Sequence, residues 1–155
     1  MDLEFAAERY ERSLPGGEEP ALPEGFKGAD MSPRREEGRW IMPTDEIVAL
    51  LTEEMLENNG QGNAKEAAGH LAFCFHRMLA DAVIACVCRI SQESGIHTAA
   101  LSGGCYQNKL LLRMTEEGLM ERGIEVLRHR LLPPNDGGIA LGQAVIAAAS
   151  LRDRQ

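Results

Sequence analysis

The chain lacks most of the features that announce a common function. Its four cysteines, Cys74, Cys86, Cys88 and Cys105, form no CxxC knuckle. Three of them fall within one helical stretch, and residues two apart on a helix point about 200° apart, so Cys86 and Cys88 cannot clasp one metal or close a local disulfide. They read as small core residues. No block of Lys or Arg stands out against a formal net charge of -8, so the phosphate attraction behind nucleic-acid binding has no footprint and no nucleic-acid partner is expected. No unbroken apolar run reaches the roughly 18 to 20 residues of a bilayer span. The acidic opening MDLEFAAERYE lacks the basic and apolar regions of a signal peptide. The reading is a cytoplasmic chain with no membrane partner. Neither GxGxxG nor a Walker loop is present, so those nucleotide signatures do not apply.

What is present suits one domain of ordinary size: 155 residues with 44% hydrophobic content. Leu3, Ala6, Ala7 and Tyr10 have helical spacing, which predicts a short amphipathic helix over residues 2 to about 12. From Ser13 to Arg39 prolines and glycines are dense enough to predict a long surface loop, with a short strand in RWIM, Arg39 to Met42. Pro43, Thr44, Asp45 and Glu46 open a helix whose buried stripe is Ile47, Leu50, Leu51 and Met55, and NNGQGN, 58–63, ends it.

The longest predicted helix runs from about Ala64 to Gln92. Ala68, Leu71, Ala72, Phe75, Leu79, Ala82, Val83, Cys86, Val87 and Ile90 form its stripe, so it is the spine of the fold. His76 beside that stripe reads as a packing or hydrogen-bonding residue rather than a catalytic one. His70 and Cys74 share a helical face at i, i+4, a weak metal signal without further ligands.

The informative third begins with a strand from His97 to Leu101, predicted to be buried. It runs into SGGCYQN, Ser102 to Asn108, and then a helix from about Gln107 to Glu121. Gly103 and Gly104 either make a tight strand-to-helix turn or let the backbone approach a nucleotide, with the helix N-terminus offering N–H groups to a phosphate. IEVLRHR supplies a second strand, around Glu125 to His129, parallel to the first. Its end carries Pro133, Pro134, the turn Asn135, Asp136, Gly137 and Gly138, and a small-residue helix from Ile139 to Ala149 expected to pack on the sheet. Both loops then face the carboxyl ends of parallel strands, where ligands of open α/β folds collect. Asp136 is either a helix N-cap or a carboxylate offered to a cation.

LSGGCYQNKLL and LLPPNDGGIALGQAVIA, following a helix with Phe75-His76, together resemble the end of the HypF carbamoyltransferases. The likeness is strongest over Glu66 to Ala149. It implies an α/β fold: the helix-rich C-terminal lobe of an actin-like ATPase (ribonuclease H-like) fold with a small parallel sheet, also seen in TsaD-type tRNA-modifying proteins. That lobe is incomplete without the strands that precede it, so residues 1–155 are expected to form a single partial domain. The family uses ATP and carbamoyl phosphate to make carbamoyl-adenylate, and this domain passes the carbamoyl group to the C-terminal cysteine of HypE during nickel–iron hydrogenase maturation. Carried over residue by residue, Ser102, Gly103, Gly104 and Asn108 contact the nucleotide. Asp136 helps bind a divalent catalytic metal, and Asn135, Gly137 and Gly138 shape its turn. The family's paired histidine ligands are not reproduced by His70, His76, His97 or His129. The implied partners are a HypE-like protein and the remaining domains of HypF, with a homodimer as another cover for the bare sheet edge. The isolated chain is expected to transfer no carbamoyl group, the alternative being a non-enzymatic nucleotide-binding or protein-interaction fragment.

Overall fold

The computed structural model describes residues 2–17, 20–57 and 63–152, so most of the predicted terminator at 58–63 lies outside the described residues. The order is α1 (Leu3–Ser13), a hairpin of β1 (Arg34–Glu36) and β2 (Arg39–Ile41), α2 (Thr44–Glu57), α3 (Ala64–Ser94), β3 (Thr98–Leu101), α4 (Lys109–Glu121), β4 (Glu125–Arg128) and α5 (Ile139–Arg152).

α3 is the spine, 31 residues and so about 46 Å long at 1.5 Å per residue. Asn63 caps its start by accepting from the Lys65 N–H, and Gly95 ends it in the left-handed conformation at φ 73°. Over an 18-residue window its mean hydropathy is 1.8, apolar enough on composition to cross a bilayer. Its setting accounts for that apolarity, because α3 is buried on two faces rather than the single one the stripe predicts. One face meets α1, α4 and the β3–β4 sheet in a cluster holding Ala7, Ala72, Phe73, Ala80, Ile84, Leu101, Leu110, Leu119 and Ile124. The other carries Cys74, Met78 and Ala82 against Ile47 of α2 and Phe26. Ile90 and Met55, both assigned to buried stripes, are exposed because each lies toward the end of its helix, beyond the packed region.

The segment from Ser13 to Arg39 has more structure than a surface loop. Two short 3-10 turns interrupt it, and Phe26, in the second, is buried in the α2–α3 cluster. It closes in the β1–β2 hairpin, where the expected RWIM strand pairs antiparallel with Arg34–Glu36. Arg34 ties the hairpin to α2 through Asp45 and Glu46, at 2.9 and 2.7 Å. The guanidinium groups of Arg35 and Arg89 both lie over the Trp40 ring, 5.4 and 5.3 Å from its centre.

β3 and β4 pair in parallel as expected, with Thr98 opposite Glu125 and Leu101 opposite Arg128. Among the described residues neither takes a second partner, so both outer edges are open. β3 is half exposed rather than buried: Ala99 and Leu101 face the core while Thr98 and Ala100 do not. α5 departs furthest from expectation. It touches chiefly the turn before it, and Ile139, Leu141, Val145, Ile146 and Leu151 are all exposed. A helix apolar on every side has no single stripe to lay on the sheet.

Candidate nucleotide site

Each half of the site follows the carboxyl end of a strand. After Leu101, Gly103 takes φ 99° and ψ 165°, a region that side chains with a Cβ avoid, so glycine is required there. Gly104 opens a 3-10 turn to Gln107, and a Cβ on either glycine would meet nothing within 4 Å. Their faces are therefore open. Cys105, expected in the core, is exposed in this turn because the turn lies on the surface at the strand ends.

The second loop leaves β4 at Arg128. Asn135 Oδ1 accepts from the Gly137 N–H at 3.0 Å, and the Gly138 N–H donates to the Asn135 carbonyl at 3.1 Å. Gly137 is closely packed: its Cβ would lie 3.1 Å from both Asn135 Oδ1 and Pro133 Cγ, so a side chain there would push on the turn. The cap of this turn is thus Asn135. That overturns the helix-cap reading of Asp136, whose exposed carboxylate takes no hydrogen bond or ion pair among the described residues.

The two loops are joined. The Gly103 N–H donates to the Pro134 carbonyl at 2.7 Å, and Ser102 Oγ lies 2.9 Å from His129 Nε2. SGG and NDGG therefore share one end of the sheet. The sequence offers no local sign of either contact, since each joins residues about thirty positions apart in a turn whose path depends on the sheet.

Asn108 and the start of α4 are less available than the sequence suggests. Asn108 Oδ1 accepts from the Leu111 N–H at 2.8 Å, capping α4, and its amide nitrogen donates to His76 Nε2 at 2.7 Å. Buried His76 in turn donates from Nδ1 to the Ala72 carbonyl at 2.7 Å, the hydrogen-bonding role expected of it and one that assigns the proton to Nδ1. The Lys109 and Leu110 N–H groups both donate to Glu4 Oε1. The α4 N-terminus, which one of the two readings offered to a phosphate, is thus occupied by a carboxylate from α1.

Among the described residues no group of three or more His, Cys, Asp or Glu side chains could hold a metal ion. Asp136 alone does not make a divalent cation site, because such ions take at least four ligands and the hard ones six or more oxygens. The two glycine turns thus lie side by side at one end of the sheet, with the Asp136 carboxylate exposed beside them.

Comparison with known proteins places the chain in a family. The family model "Carbamoyltransferase, Kae1-like Domain, second subdomain" matches residues 28–143. A carbamoyltransferase HypF homolog of Cupriavidus necator is 35% identical over 120 residues, covering 76% of this chain and 30% of the relative. HypF of Rhodobacter capsulatus is 42% identical over 88 residues, 57% of this chain and 12% of that protein. The crystal structure of full-length HypF in its phosphate- and nucleotide-bound form superposes with a TM-score of 0.67 at 31% identity, over 84% of this chain and 16% of that one. The chain thus spans less than a third of these relatives' lengths, and over that span it belongs to the HypF carbamoyltransferase family, as the second subdomain of the Kae1-like domain.

Proposed function

We propose that this HypF-type carbamoyltransferase fragment is the nucleotide-binding lobe of the transfer site, and that it holds the phosphates of ATP or carbamoyl-adenylate between the SGG and NDGG turns. The carrying observation is the junction of those turns through the Gly103 N–H and the Pro134 carbonyl at 2.7 Å, at the carboxyl ends of two parallel strands. The phosphate- and nucleotide-bound state named for the solved HypF supports the same ligand class. Gly103 and Gly104 leave the backbone open, Ser102 offers a hydroxyl, and Asn108 secures the helix behind them. Asn135, Gly137 and Gly138 hold Asp136 outward, where it supplies one ligand to a divalent metal completed by residues outside this chain.

In the transfer itself, the thiolate sulfur of a HypE-like C-terminal cysteine adds to the carbamoyl carbon. The bond from that carbon to the adenylate oxygen breaks, and AMP leaves with the electron pair. The isolated chain lacks the ligand set to polarise the carbamoyl oxygen, so it binds nucleotide weakly and transfers nothing detectable. The reading expects a cytoplasmic protein acting with the remaining domains of HypF.

Titration of the chain with a fluorescent ATP analogue and magnesium tests this directly. Weak, saturable binding is expected, and its absence would remove the nucleotide reading. In a full-length HypF, alanine at the aspartate equivalent to Asp136 abolishes transfer to HypE and spares carbamoyl-adenylate formation. Normal transfer there would reduce Asp136 to a turn residue. A second reading, a fragment that binds protein rather than catalyses, is favoured by the bare apolar surface of α5. It predicts no nucleotide binding.

A further inference from the structure

His129 is claimed by no motif, yet it stands at the junction of the two loops. We infer that His129 is a positioning residue, which orients the Ser102 hydroxyl and clasps the SGG turn against the strand that leads into NDGG. This rests on the nucleotide reading above. Leu101 and Arg128 are opposite each other at the ends of β3 and β4, so Ser102 and His129 are the first residues past the ladder on either side. Their side chains meet at 2.9 Å across 27 residues of sequence.

One residue further along, the Gly103 N–H is fixed on the Pro134 carbonyl at 2.7 Å. The side-chain pair and the backbone bond together close a small ring between the loops. Breaking the first loosens the second.

The chemistry of the pair sets what Ser102 can offer. When Nε2 carries the ring proton, the imidazole donates to Oγ and the serine proton is free for a phosphate oxygen. When Nε2 is bare, that proton is spent on the ring. A neutral imidazole protonated at Nε2 therefore turns Ser102 into a donor facing the open glycine turn. Both side chains are exposed, so water competes and the effect is modest, about fivefold in affinity.

The test uses the full 155-residue chain and a fluorescent ATP analogue, with adenosine as a competitor lacking phosphate. His129→Ala should weaken the ATP analogue about fivefold and leave adenosine unchanged. Ser102→Ala combined with His129→Ala should bind no worse than Ser102→Ala alone, and His129→Gln, whose amide can also donate, should recover much of the loss. Wild-type binding by His129→Ala, or equal loss of both ligands, overturns the proposal. Amide hydrogen exchange at Gly103 keeps the clasp testable without ligand. Exchange should quicken in His129→Ala and Ser102→Ala and recover in His129→Gln, and an unchanged rate overturns the clasp. Should the wild type bind no ATP analogue, the nucleotide reading fails while the exchange result still decides the clasp.

Discussion

Two cysteines of the same chain take opposite characters from their surroundings. Cys74 is fully buried on α3, and burial pushes its thiol up to about 12, so almost no thiolate exists at neutral pH. Cys105 is exposed in the SGG turn. Iodoacetamide labelling at pH 8 should therefore place the first adduct on Cys105, and mass spectrometry should find Cys74 modified only after unfolding. Early modification of Cys74 would show that α3 is not packed as described. Residue by residue, the glycines were legible because a glycine turn after a strand has a local cause. Gly103 does require its positive φ, and Gly137 leaves a Cβ only a tight fit. Glu4 and His129 were not legible. Glu4 reaches α4 across 105 residues and His129 reaches Ser102 across 27, and no local pattern encodes a partner that far away.

Among the elements, α1 and α3 cross so closely that one position has no room to grow. A Cβ on Gly69 would lie 2.9 Å from Tyr10 Cβ and 3.1 Å from the Ala6 carbonyl oxygen, both rigid parts of α1. Alanine gains about 1 kcal/mol of helix propensity, but overpacking costs about 1–3 kcal/mol, so Gly69→Ala should be destabilising on balance. A lowered urea midpoint at constant slope checks this, and a raised one would mean the helices can part at little cost. The hairpin makes a pH-dependent prediction. Hydrogen bonding to Arg34 holds the Asp45 carboxyl below its ordinary value of 3.8. A carboxyl depressed in the folded state contributes stability that is complete at neutral pH and lost as pH falls through the folded value. The melting temperature of Asp45→Asn should thus fall below that of the wild type at pH 7, modestly for an exposed pair, and the gap should close on acidification below 3.8. A gap that persists in acid would assign the effect to something other than charge. Helix positions were well anticipated, because three- and four-residue periodicity and capping residues are local. The second buried face of α3 was not, since Phe26 reaches it from within a segment whose prolines and glycines pointed only to a loop.

At the scale of the whole molecule, the described residues leave apolar side chains bare on β4 and α5, and also on α1 and α2. Leu127 on β4, Leu131 after it and Val145, Ile146 and Leu151 on α5 all face solvent, and the outer edges of β3 and β4 carry no further strand. Apolar surface of this kind is stabilised by removal from water, at about 25 cal/mol per Å², and an open strand edge invites pairing. α5 holds no ionisable side chain from Ile139 to Leu151, so no charge on that stretch opposes burial. In the proposed assembly the rest of the carbamoyltransferase domain covers this side, and a second copy is the available substitute when that domain is absent. Because α5 packs on little besides the turn that precedes it, deleting residues 139–155 should leave the melting temperature nearly unchanged. The same deletion should abolish the concentration-dependent growth in mass that light scattering is expected to detect for the full chain. Supplying the preceding subdomain of a related HypF should suppress that growth as well, by competing for the same apolar side. A deletion that lowers the melting temperature by many degrees would instead mean that α5 folds back onto its own core in solution, and the bare side would then have to be sought on the sheet alone.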